Sequence, residues 1–142
     1  ESKIEKILDY IKGYDYKLPL YTSAVQAGFP SPADDYIEEK LDLNKHLIKH
    51  PSATFFVKVT GDSMIKAGIH SGDILIVDRS IEPTKGKIVI AAIDGELTVK
   101  RLSCESDGNY LLPENDNYTP IKIDEHNDLT IWGVVTSVLH SV

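Results

Sequence analysis

Ser63 and Lys100 are the two residues of this chain whose types and settings best suit nucleophilic chemistry. Ser63 follows Gly61-Asp62 at the end of a strand-like run, Thr54-Phe55-Phe56-Val57-Lys58-Val59, and is backed by Met64-Ile65 with Gly68 closing the segment. Glycine turns the backbone without a Cβ penalty, so a hydroxyl just past a strand end can be held rigidly in an exposed position. A serine hydroxyl is a poor nucleophile at neutral pH and needs a base. Lys100 stands in a second apolar run, Leu97-Thr98-Val99-Lys100-Arg101-Leu102. Lysine accepts a proton only when neutral, and its ordinary pKa is about 10.4. Burial among neighbours such as Leu97, Val99 and Leu102 disfavours the ammonium and lowers that value. On a strand Lys100 shares its face with Thr98 and Leu102, while Val99 and Arg101 point the other way. Backbone N–H groups of Asp62 and Ser63 would supply the oxyanion site. Each residue also has a plainer reading. Gly-Asp-Ser is commonly a surface turn, and a strand lysine commonly runs its head out to water.

Other chemistries fit less well. His46, His50, His70, His126 and His140 could complete a Ser-His-Asp triad, which is recognised by geometry rather than chain order. His70 lies seven residues past Ser63 beside Asp73, but His70-Ser71-Gly72-Asp73 reads as a polar turn, and four of the five histidines sit in loop-like stretches. Neither a helical His-x-x-x-His nor paired cysteines are present, so no metal and no cofactor is expected. Cys104 opens a polar loop and reads as inert rather than nucleophilic.

The chain is long enough for one domain with a real core. Its 42% hydrophobic and 26% charged content is that of an ordinary globular protein. A net charge of −7 argues against direct DNA binding, which needs clustered Lys and Arg; another protein would supply that contact. The single cysteine leaves no internal disulfide framework and suits a reducing, cytoplasmic home. No apolar run approaches the roughly 20 residues of a membrane span, and no secretory leader is visible.

Several elements must position the pair. Ile4, Ile7, Leu8 and Ile11 form an i, i+3, i+4, i+7 stripe over residues 1–12, which predicts a short amphipathic helix ended by Gly13. Residues 13–35, with three prolines and two glycines, read as an extended arm. From Tyr36 the pattern turns to short strands. An edge strand is expected over 37–43, and a turn of helix over 44–48 capped by Asn44. Strands follow at 54–59, 73–78, 87–93, 96–102, 109–112, 119–123 and 129–139, with Asp94-Gly95 a hairpin and Gly133 a bulge. The fold class is therefore mostly β: a strongly bent antiparallel domain over 36–142, preceded by a short helix and arm over 1–35.

Ala27-Gly28-Phe29-Pro30-Ser31-Pro32 with Asp34-Asp35-Tyr36, then His50-Pro51-Ser52-Ala53-Thr54-Phe55-Phe56-Val57-Lys58, Gly61-Asp62-Ser63-Met64 and Gly72-Asp73-Ile74-Leu75-Ile76-Val77-Asp78, resemble the LexA/UmuD-type Ser-Lys self-cleaving peptidases. Asp94-Gly95-Glu96, Thr98-Val99-Lys100 and Gly133-Val134-Val135 extend that likeness from about Leu18 to the C-terminus. The resemblance implies a bent β fold related to signal peptidases, with Ser63 as nucleophile and Lys100 as general base. It implies cleavage of the chain's own arm at Ala27-Gly28, provoked by a RecA filament on single-stranded DNA. It further implies a product that forms a homodimer and joins a UmuC-type polymerase subunit in translesion synthesis during the SOS response. The better-known UmuD has cysteine before the scissile glycine where this chain has Ala27. A non-enzymatic polymerase-binding module and a truncated LexA-like repressor relative are the competing readings; residues 1–12 are too short for a repressor's winged helix.

Overall fold

The computed structural model describes residues 2–10, 13, 18–21 and 37–142. Its strands are β1 (Lys3–Asp9), β2 (Leu18–Tyr21), β3 (Ile37–Leu41), β4 (Thr54–Thr60), β5 (Ile74–Asp78), β6 (Ile88–Ile93), β7 (Glu96–Glu105), β8 (Gly108–Leu112), β9 (Ile121–Ile123) and β10 (Leu129–Leu139). One short helix, α1 (Leu43–Leu47), stands between β3 and β4. Among the described residues no helix is long and apolar enough to cross a membrane.

The chain divides into two compact units, Glu1–Tyr10 with His50–Val142, and Ile11–Lys49. In the smaller unit β2 pairs antiparallel with β3, and Pro19 is tolerated because this ladder has only two strands. The cap of α1 is Asp42, not Asn44: its carboxylate accepts from the amides of Asn44 at 3.0 Å and Lys45 at 3.4 Å. Aspartate one position earlier reaches the free amides that Asn44, already inside the helix, cannot.

The larger unit is an antiparallel sheet in the order β1-β4-β5-β10-β6-β7-β8-β9. It bends until β7 meets β1 again, through Lys3 opposite Thr98, so that β1, β4, β5, β10, β6 and β7 close a ring. Alternation builds the core. Phe55, Val57 and Val59 of β4 face inward with Leu75, Val77, Ile90, Val99, Met64 and Ile69, all buried. A second cluster, Val89, Ala91, Ile93, Leu111 and Val134, lies on the opposite face of β6. Each fully buried side chain of this size contributes about 1.5–3 kcal/mol. The expected hairpin is present: Asp94 and Gly95 both have positive φ, at 49° and 86°. At Gly133 the register slips by a residue, and an added Cβ would lie 2.7 Å from Val77 Cγ1.

The N-terminal helix expected over 1–12 is corrected by the structure: residues Lys3–Asp9 are a strand on the free edge of β4. An isolated helix this short is marginal in water, whereas an open sheet edge offers a full row of backbone partners. Of the stripe's described members, Ile7 and Leu8 stay 38% and 45% exposed while Ile4 packs on the core. β1 is therefore part of the main sheet, though it buries little.

At the end of β5, Asp78 is buried and accepts from Ser80 N at 2.8 Å and Ser80 Oγ at 2.5 Å, with His50 Nδ1 at 2.6 Å. Burial acts to raise its pKa, but the bonds from Ser80 and His50 outweigh it and hold the carboxyl below its ordinary value. A group depressed in the folded state contributes stability that is present above the unfolded value of about 3.9 and lost as pH falls through the folded value. Asp78→Asn should thus cost about 1–3 kcal/mol at pH 7, the scale for a disrupted buried hydrogen-bond set. In urea unfolding the gap to wild type should narrow as the pH is taken below about 4; a gap that persists unchanged in acid would contradict this role.

Candidate active site

The turn that carries Ser63 follows directly from the end of β4. Gly61, at φ 94°, reverses the chain in a conformation that a Cβ would strain, and a 3-10 turn over Ile65–Ala67 ends at Gly68 with φ 80°. Met64 is fully buried and anchors the turn to the core, while Ser63 itself is fully buried. Backbone and side-chain bonds hold the turn on both sides. The Asp62 carboxylate accepts from Tyr118 OH at 2.6 Å, and its carbonyl accepts from Asn115 Nδ2 at 2.9 Å. The carbonyl of Ser63 accepts from the Glu114 amide, and the carbonyl of Glu114 from the Lys66 amide, each at 2.8 Å. Arg101 pairs with the Glu114 side chain and so ties this loop to β7. This clamp leaves no local signal: Pro113–Asn117 reads only as a polar turn between strands, because its partners lie some 50 residues away.

Lys100 does not run out to water. It is 2% exposed within β7, and Nζ donates to Thr98 Oγ1 at 2.8 Å and to the Val99 carbonyl at 3.3 Å. The shared face of residues 98 and 100 is thus realised. Thr98 is a further member of the site, legible in principle from its i, i+2 position.

Between the two elements lies Ser2. The Ser2 amide donates to Ser63 Oγ at 2.8 Å, and Thr98 Oγ1 donates to the Ser2 carbonyl at 3.3 Å. Ser63, Ser2, Thr98 and Lys100 are therefore joined in one hydrogen-bonded series, with Ser2 completely buried and its hydroxyl without a bond among the described residues. Lys3 stands opposite Thr60 on one side and Thr98 on the other. The gap between β4 and β7 accordingly holds an extended peptide by strand pairing, with one amide against the serine oxygen. A cavity of about 280 Å³ continues from it, lined by residues 2–4 and 95–98.

Ala27 and Gly28 lie outside the described residues. No hydrogen bond among the described residues joins a histidine to Ser63. His46 lies in α1, His50 pairs with Asp78 and the exposed His126 with Glu125 at 3.7 Å, while His70 and His140 both meet Asp73. Cys104 is exposed and free.

Residues 19–136 match the Peptidase S24-like family. The chain is 52% identical to Protein SamA of Salmonella typhimurium (strain LT2) over 122 residues, 86% of this chain and 84% of that one. It is 49% identical to Protein ImpA of Escherichia coli over 125 residues, covering 88% and 85%. Its identity to the LexA repressor of Shewanella sp. (strain W3-18-1) is 37% over 128 residues, 89% of this chain but 61% of the repressor.

Proposed function

We propose, from the premise that this chain belongs to the Peptidase S24-like family, that it is a self-cleaving peptidase of the SOS response which cuts its own arm between Ala27 and Gly28. That membership supports a serine peptidase, and its UmuD-like relatives suggest a role in SOS mutagenesis. The observation that carries the finer reading is the seating of a peptide segment between β4 and β7, amide to Ser63 Oγ, with Lys100 buried on the strand that forms the other wall.

On this reading Ser63 Oγ attacks the carbonyl carbon of Ala27 and passes its proton to Lys100 Nζ. The developing oxyanion is held by amides of the Asp62–Ser63 turn, where one donor is worth about 10²–10³ in rate. Lys100 then delivers the proton to the nitrogen of Gly28 as the peptide bond breaks, and water hydrolyses the ester left on Ser63. Thr98 is a positioning residue that holds the amine by its hydroxyl. The functional division stands at 35/36, with the scissile arm before it and the dyad after it. Because Ser2 holds the serine oxygen, the Ala27–Gly28 bond reaches the dyad only when residues 2–4 have left it. A RecA filament would favour that exchange, and the cut product would form a homodimer and join a UmuC-type polymerase subunit, as the family resemblance implies.

Incubation with RecA, single-stranded DNA and an ATP analogue tests the proposal. A new fragment whose N-terminus is Gly28 is the expected product. Complete persistence of the intact chain under conditions that activate the filament would overturn it.

A further inference from the structure

We propose that His70, Asp73 and His140 form a binding site for a divalent transition-metal cation of the zinc class. Their ligand atoms lie within 4.8 Å of one another, although His140 is 67 residues from Asp73 in sequence. His140 Nδ1 is 2.6 Å from Asp73 Oδ1, and His70 Nδ1 is 3.7 Å from Oδ2. The two rings stand 4.8 Å apart at 37°. Two imidazoles and one carboxylate are the ligand set of open zinc and related sites, with water completing the coordination. Ligands at about 2.0–2.1 Å from a tetrahedral zinc lie roughly 3.3 Å from each other. A modest rotation of the imidazoles, each 46% exposed, closes the set.

Two features favour a cation over a simple hydrogen-bonded pair. Asp73 is buried and its Oδ2 already accepts the His70 amide at 2.7 Å, the fixed orientation that ligating carboxylates receive from their surroundings. Among the described residues its ionic partners are these two imidazoles alone, with neither Lys nor Arg occupying the carboxylate. Sequence spacing could not show the site, because the third ligand comes from the far end of β10.

A bound cation would join the end of β10 to the turn over 70–73. That turn is bonded to β4 through Gly72 N to the Val59 carbonyl at 2.8 Å and Val59 N to the Asp73 carbonyl at 3.0 Å. It would brace the base of the Ser63 turn. The proposal does not depend on the peptidase reading.

The test uses the full chain without an affinity tag, carrying Ser63→Ala so that it stays uncut, and Zn²⁺ or Co²⁺ as the probe. Zinc should bind at one equivalent and raise Tm by roughly 5–10 °C at a hundredfold excess over Kd. Cobalt should give visible ligand-field bands. His70→Ala and His140→Ala should each remove these responses, each read against that variant's own metal-free Tm, which the lost partner of buried Asp73 lowers. Should an alanine variant not fold, His140→Asn keeps a side-chain amide for Asp73 and removes the imidazole. An unchanged or lowered Tm with zinc, or a rise and cobalt bands that survive in the double His variant, would overturn the site.

Discussion

Ser63→Ala and Lys100→Ala should each abolish self-cleavage, with losses on the order of 10⁴–10⁶-fold, because a nucleophile and its base act as a unit and neither retains partial function alone. Lys100→Arg sharpens the expectation. Guanidinium keeps the positive charge but stays protonated in proteins, so it cannot accept the serine proton. If Lys100 served only to place a positive charge near the reacting carbonyl, the arginine variant would retain much of the rate. If it is the base, the arginine variant should fail as completely as alanine. The measurement is appearance of the Gly28 N-terminus with time, alongside thermal unfolding to show that each variant is folded. Because Lys100 is 2% exposed, the truncation to alanine leaves a cavity, and that control is essential. A folded variant at either position that still cuts at near wild-type rate would remove the dyad.

The second large effect should come from β1, which on the proposed reading keeps Ser63 occupied. Deleting residues 1–10, or breaking the ladder with Ile7→Pro opposite Val57, should raise the unassisted rate of cleavage by about 10–100-fold. The estimate follows from population: each 1.4 kcal/mol by which β1 favours the occupied gap lowers the fraction of chains with a free serine tenfold. The strand is suited to such a role because it binds mainly through backbone pairing, with Ile7 and Leu8 half exposed. Removing it should cost the sheet little. Two failures separate cleanly. If neither wild type nor the truncated chain ever yields the Gly28 fragment, the peptidase proposal falls. If both cut at the same rate, only the blocking role of β1 falls.

How much of this was legible from the residues depended on how far each signal had to reach. Local chemistry carried the strands. The strand-like run from Thr54 to Val59, the Asp94-Gly95 hairpin and the bulge at Gly133 all depend on neighbours a few positions away, and the structure bears them out. The pairing of Lys100 with Thr98 is likewise a matter of one strand face. What could not be read was which separate segments meet. Residues 1–12 carry a real helical stripe, but the decisive quantity was the unsatisfied edge of β4, and an edge is a property of the sheet rather than of the segment that fills it. The clamp of Glu114 on the Ser63 turn and the meeting of His140 with Asp73 are of the same kind.

The ring closed by β1 has a consequence for molecules in number. Its closing seam is a stretch of antiparallel backbone pairing with few side-chain demands, so any second copy offers the same seam in the same register. Were β1 to leave its own gap, a neighbouring copy's β1 would offer the same pairing, and the exchange would need no new contact. Tethering decides the outcome: at low concentration the strand attached to the same chain returns first, while crowding shifts the balance towards reciprocal swapping. Opening the site and associating with another copy would then be two outcomes of a single release.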